Sequence, residues 1–284
     1  MTVQTFFKRL APVAALAGAA LVAGCDGMNI QFGDTEGVPL AELDISGAAP
    51  TELVLAGSDE VIVTRGDSFD IDVSGDDAAV EALRFALSDD SLAVHREKDS
   101  WSDKGKATVR VTLPGLTSLV LAGSGDIRAD RMDGRADVTV AGSGSVAIDE
   151  VDAERFEVTI AGSGDLEASG RAERLELTIA GSGDARLGGL QVDRADVSVV
   201  GSGDAEISSD GKVDASIAGS GDITVNGSAD CEVSSMGSGS LNCRNAAPRS
   251  ERSPRETPEA GAAPLPPEAP EGPEAPDAPE APDA

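Results

Sequence analysis

Five aspartates, Asp126, Asp165, Asp184, Asp204 and Asp222, each stand directly after a Gly-Ser-Gly. Two chemistries fit carboxylates at a fixed interval. Stacked about 4.8 Å apart they repel, and a divalent cation held by oxygen ligands relieves that repulsion. The unbroken run Asp165, Asp184, Asp204 and Asp222 is then the candidate Ca²⁺ site, since Ser145 interrupts the series after Asp126. Alternatively, each carboxylate accepts hydrogen bonds from the amides of its own turn. The repeat offers fewer ligand positions than a calcium-binding β-roll, which favours the second chemistry.

Other reactive groups are sparse. His95 is the sole histidine and sits among Arg96, Glu97 and Lys98, which reads as a solvated loop or strand edge. Arg65-Gly66-Asp67 has the integrin tripeptide, but Gly-Asp between two strands is ordinary turn chemistry. No Ser/His/Asp set, zinc spacing or phosphate-binding loop is present. Gly-Ser-Gly-Asp is not a dinucleotide fingerprint, because no helix pattern follows it.

The elements that position the aspartates follow from the repeat itself. Taking the first Gly of each copy as a marker gives 57, 123, 142, 162, 181, 201, 219 and 237, the first copy being degenerate. The last six intervals are 19, 20, 19, 20, 18 and 18 residues, the signature of a solenoid. Six, four and two residues before a marker stand apolar residues, as in Leu175, Leu177 and Ile179. Four and six after it stand others, as in Ala185 and Leu187, with Asp, Glu, Thr and Ser between them. A period of two on both sides of a glycine corner means two strands flanking a turn, apolar side inward. With no Tyr and few large side chains, the slender Val, Ile, Leu and Ala core predicts an all-β, single-chain parallel β-helix with coils of about 18–20 residues. The 66 residues between markers 57 and 123 leave room for three to four coils, some without the glycine corner. Ala78 to Ala86 suggests a helical turn or two.

Residues 1–24 read as a signal peptide, with Lys8 and Arg9 before an apolar run. Leu21-Val22-Ala23-Gly24-Cys25 resembles the bacterial lipoprotein signal, which makes Cys25 the lipidated residue and the membrane a partner through that lipid. Asp26 resembles the inner-membrane retention signal of enteric-type bacteria, a rule that varies among lineages. The sequence therefore places the chain in the cell envelope, periplasmic or surface-facing, without choosing a membrane. Residues 25–37 form a lipid-anchored tether and 38–245 the β-helix. Residues 246–284 hold eleven of the fifteen prolines and, after Arg255, eight acids and no base: a disordered Pro/Glu/Ala-rich acidic tail. The net charge is −29, and −31 once Lys8 and Arg9 leave with the signal, so nucleic acid is excluded as a partner.

Cys231 and Cys243 lie six residues before and after marker 237, at places where other coils carry inward apolar residues such as Val213 and Val225. A disulfide, a metal pair and two free thiols are the options. An oxidising compartment favours the disulfide.

Thr64-Arg65-Gly66-Asp67-Ser68-Phe69 in an irregular β-rich half, then Leu113-Pro114-Gly115-Leu116 leading into the first full Gly-Ser-Gly-Asp coil, resembles the GIN domain family of autotransporter adhesin heads over roughly 38–243. The resemblance implies a β-helical fold and an adhesin-like role, and brings no catalytic residues with it. Three function classes follow. The first is a non-enzymatic envelope lipoprotein whose scaffold binds an unidentified envelope protein or glycan without a cofactor. The others are a polysaccharide-processing β-helix enzyme and a calcium-binding module. One Trp and no Tyr leave an enzyme without aromatic sugar platforms, and the breaks in the repeat (Ser145, Val200, Met236, Ser240) supply no acid–base cluster. The first class is favoured. Replacing Cys25→Ala should release the protein from membranes on fractionation, and continued pelleting with membranes would remove the anchor.

Overall fold

The computed structural model describes residues 37–88, 90–97 and 105–245. The signal, Cys25, most of the tether, Trp101 and the acidic tail lie outside the described residues. Within them the chain is a parallel β-helix. A first irregular part comprises β1 (Glu52–Gly57), β2 (Glu60–Arg65), β3 (Asp70–Gly75), α1 (Asp77–Ala82), β4 (Leu83–Leu87), β5 (Ser91–Arg96), β6 (Ala107–Leu113) and β7 (Ser118–Gly123). Five long strands follow, each running around a coil: β8 (Asp126–Gly142), β9 (Ser145–Gly162), β10 (Asp165–Gly181), β11 (Ala185–Gly201) and β12 (Ala205–Gly219). The stack ends in β13 (Ile223–Gly227), which lies on β12, and in a last coil of β14 (Asp230–Gly237) and β15 (Leu241–Asn245), β15 lying on β13.

All eight marker glycines stand in one column. Gly57 pairs with Gly123, and the series continues through 142, 162, 181, 201 and 219 to 237 with every ladder parallel. The residues two, four and six before each marker face inward from β8 through β12, and Phe156, Leu175, Val199 and Ile217 are essentially inaccessible to water. The burial alternates with period two, as a half-buried strand requires.

The interval between markers 57 and 123 departs from the three to four coils expected of it. Gly57 and Gly123, 66 residues apart in the chain, are neighbours in the stack. The intervening chain leaves β2 and builds one coil, β5 and β6, on the opposite side of β1 and β2. It caps that coil with β3, antiparallel to β6, and β4, antiparallel to β5. Only then does it return as β7. The first coil in sequence is therefore the second in space. The helix also ends earlier than its composition suggested, because Leu83 to Leu87 pair with β5 and bury Phe85. Strand pairing outcompetes a short local helix here.

The corner explains its own sequence. A Cβ added to Gly183 would stand 2.1 Å from the carbonyl oxygen of Gly164 in the preceding coil. Gly181 is held at φ +136°, a conformation that side chains disfavour. The first glycine serves both the turn and the close approach of stacked backbones, and the second the close approach. Gly183→Ala should therefore cost about 1–3 kcal/mol or more by overpacking, measured by denaturant unfolding. Gly115→Ala, with nothing within 4 Å of the added carbon, should be nearly neutral.

Candidate binding face and the ladders that hold it

The corner aspartates form a column, but not with the bonding expected of them. The amide of Asp184 donates to Asp165 Oδ1 (3.3 Å), that of Asp204 to Asp184 Oδ1 (3.2 Å), and that of Asp222 to Asp204 Oδ1 (2.8 Å). At the end of the column, Ser240 donates its amide and hydroxyl to Asp222 Oδ1, at 2.9 and 2.7 Å. Each carboxylate is thus bound by the next coil rather than by its own turn, because parallel stacking brings the next amide under the carboxylate. The Ser240 hydroxyl, then its amide, hold Asp222 below the usual carboxylate range. Arg186 lies 3.4 Å from Asp165 and 3.3 Å from Asp184 and offsets part of their repulsion. Among the described residues no three His, Cys, Asp or Glu side chains converge as a metal site. The column stitches coils together.

Cys231 and Cys243 are joined by a disulfide across the last coil, their Cα atoms 6.7 Å apart. They stack on Val213 and Val225 of the coil before. His95 lies in β5 between β1 and β4, half-buried, so it occupies neither a loop nor a sheet edge. Arg65 pairs with Asp133, and its amide donates to Asp130 Oδ2 at 2.7 Å. That arginine is engaged in the stack.

The residue type that sequence reasoning passed over is Arg96. It looked like part of a solvated charged run, yet its side chain is 2% exposed and its partner Asp59 1%. Arg96 donates from Nε to Asp59 Oδ2 (2.8 Å) and from a terminal nitrogen to Asp59 Oδ1 (2.6 Å) and the Gly105 carbonyl (2.7 Å). The Ala107 amide completes the set on Asp59 Oδ1 at 2.9 Å. The register Glu60↔Asp126 shows why: Asp59 occupies the place of the second corner glycine, not of the corner aspartate. A side chain fits there because the coil on that side, β5 to β6, lacks the tight corner. The missing glycine at Asp59 was the available signal.

The outward side of the sheet from β8 to β14 carries parallel lanes in strict register. Seven residues before the markers run Arg135, Arg155, Arg174, Arg194 and Lys212, with Asp230 ending the lane on β14. Five before run Asp137, Glu157, Glu176, Asp196, Asp214 and Glu232, and three before run Thr139, Thr159, Thr178, Ser198, Ser216 and Ser234. Arg155 bridges Glu157 and Glu176, and Lys212 bridges Asp214 and Glu232. Burial, then the charges of Glu157 and Glu52, push Asp137 above its ordinary value. Its ionisation therefore opposes the fold, and the contribution is favourable only below the carboxylate range. A shallow groove of about 600 Å³ lies along the acidic and hydroxyl lanes from Glu176 to Ser234. An acidic lane and a hydroxyl lane at regular spacing suit a repetitive polar ligand.

Comparisons with known proteins agree with this architecture. The family model described as "Putative auto-transporter adhesin, head GIN domain" matches residues 49–229, more than half of the chain. No curated protein matches it. A "putative adhesin" of Bacteroides fragilis NCTC 9343 superposes with a TM-score of 0.65 at 21% identity, covering 70% of this chain and 94% of that one. A "putative lipid binding protein" of Parabacteroides distasonis ATCC 8503 gives 0.53 at 22% identity, with 70% and 94% covered. A "putative adhesin" of Parabacteroides merdae ATCC 43184 gives 0.54 at 17%, with 69% and 92% covered. At these identities the structures share the fold.

The buried pair yields a test against the repeat's own consensus. Asp59→Gly restores the corner sequence but strands Arg96, and should cost about 3–5 kcal/mol in a denaturant melt. Adding Arg96→Met to that variant should recover much of the loss, as apolar replacement of a buried pair often does.

Proposed function

The chain belongs to the GIN domain family, and from that premise we propose that it is a non-enzymatic, adhesin-like binding protein of the bacterial cell envelope, anchored by lipid on Cys25. The observation that carries the reading is the groove along the acidic and hydroxyl lanes. Its side chains repeat from coil to coil, so it offers one contact many times over rather than one reactive centre. Multiplying weak polar contacts along a rigid scaffold raises avidity without any strong single site. An unidentified envelope protein or glycan is the partner, held by hydrogen bonds to Thr178, Ser198 and Ser216 with the acids beside them. Among the described residues no helix is long and apolar enough to cross a membrane, and the lipid supplies the attachment.

The two other classes make opposite demands. A polysaccharide-processing enzyme needs a local acid–base pair, and a calcium module needs converging oxygen ligands at Asp165, Asp184, Asp204 and Asp222. Their amide bonding to the next coil favours neither. The test is capture of the full chain on isolated outer-membrane and cell-wall preparations. The triple variant Thr178→Val, Ser198→Ala, Ser216→Ala should lose about tenfold in retention with an unchanged melting temperature. Equal retention of variant and parent would overturn the groove as the binding site, and turnover of an envelope glycan would overturn the non-enzymatic reading.

A further inference from the structure

We propose that the strip formed by the basic and acidic lanes pairs with the same strip of a second copy of this chain, giving a weak side-by-side parallel dimer. This goes beyond the binding role of the groove, since it joins the groove's acidic wall to the basic lane outside it and leaves the hydroxyl lane outside the paired strip. Among the described residues, Arg135, Arg174 and Arg194 make no ion pair, whereas Arg155 and Lys212 reach acids of their own chain. Arg155, Arg174 and Arg194 are consecutive in the stack, about one strand spacing (~4.8 Å) apart, so their guanidinium groups repel one another. Beside them the acidic lane stacks like charge at the same spacing, relieved among the described residues where Arg155 and Lys212 reach it. Both repulsions fall if each lane meets the opposite sign at the same period.

A second copy supplies that period by construction, because its coils have the same spacing. The symmetry then fixes the orientation. A two-fold axis parallel to the solenoid axis, placed between the two lanes, lays each basic lane on the partner's acidic lane. A two-fold axis across the solenoid lays base on base and acid on acid. Only the parallel arrangement is complementary, and it sets the β3 and β4 caps of both copies at the same end.

Size and charge make the contact weak. The complementary strip is five strands long, since β14 carries Asp230 in the basic lane's place. Five strands about 4.8 Å apart and two lanes each about 7 Å wide give roughly 340 Å² per copy. That is roughly 700 Å² in total, under the size of stable complexes, so the dimer is reversible. The net charge of −29 opposes approach, but at physiological salt that repulsion is screened beyond about 8 Å while facing groups in contact are not.

The experiment is sedimentation of the full chain in detergent over a concentration series, at about 0.15 M and about 1 M salt. A concentration-dependent dimer at the lower salt, lost at the higher, is expected. The charge-reversed variants Arg174→Glu/Arg194→Glu and Glu176→Arg/Asp196→Arg should each weaken self-association at least about tenfold. Mixing the two should restore a heterodimer, since reversed acids then face reversed bases. Melting curves check that each variant is folded. If a reversal unfolds the chain, Arg174→Gln/Arg194→Gln should still weaken self-association. A monomer at every concentration overturns the proposal, as does a dimer indifferent to the variants or a mixture that fails to pair. Envelope capture by the groove is read separately, so either idea can fail without the other.

Discussion

The close approach of successive corners is the constraint on which the rest depends. At Gly183 the preceding coil's carbonyl oxygen lies where a side-chain carbon would have to be. Because no side chain intervenes, corner amides and carbonyls of adjacent coils bond directly, as Ser182 does to Gly162 at 2.8 Å. With the corners locked in register, the strands on either side have no freedom to slip. A one-residue slip would carry every inward Val, Ile and Leu to the solvent face and every acid into the core. The outward lanes are the visible consequence of that lock.

The lock also settles how charge is managed. Parallel stacking puts like residues over like, so any ionisable position becomes a ladder of one sign. The protein relieves these ladders in three ways. Asp165, Asp184, Asp204 and Asp222 accept amides from the next coil, so each of these negative charges meets a backbone dipole, and Asp126 accepts the Ser145 hydroxyl. Arg155 and Lys212 reach across to the neighbouring lane. Asp59, lying where the lock is absent, is buried against Arg96 with all its oxygens engaged. What remains unrelieved faces solvent on one side of the sheet.

Much of this was legible in the sequence where the chain repeats itself. The period fixes the coil, the alternation fixes which residues are core, and the glycines fix the corner, from marker 123 onwards. The irregular half was not legible, because pairing there is non-local: β1 bonds to β5 and β7, and no short-range pattern records which strand inserts where. Arg96 misled for a related reason. Its neighbours Glu97 and Lys98 suggested water, whereas its environment is set by Asp59, 37 residues away. The carboxylate ladder was read correctly as stacked but with the wrong donors, since a turn's own amides and the next turn's are indistinguishable until the coil spacing is known. The lanes were present as letters all along. They become a face only when the coils are laid side by side.

The two ends of the stack are built differently, and this bears on how such a chain can change in length. One end is closed by β3, β4 and α1, whose pairing is particular to those segments. The other ends in a coil bearing the Cys231–Cys243 crosslink. Between them, β9, β10 and β11 pair residue for residue apart from local bulges. Duplication or loss of one such unit in the gene would move the ends apart or together by about one strand spacing, ~4.8 Å, while both terminations stayed intact. The domain is in that sense a ruler, with a reach that evolution can set in whole coils while the chemistry of its face is left unaltered.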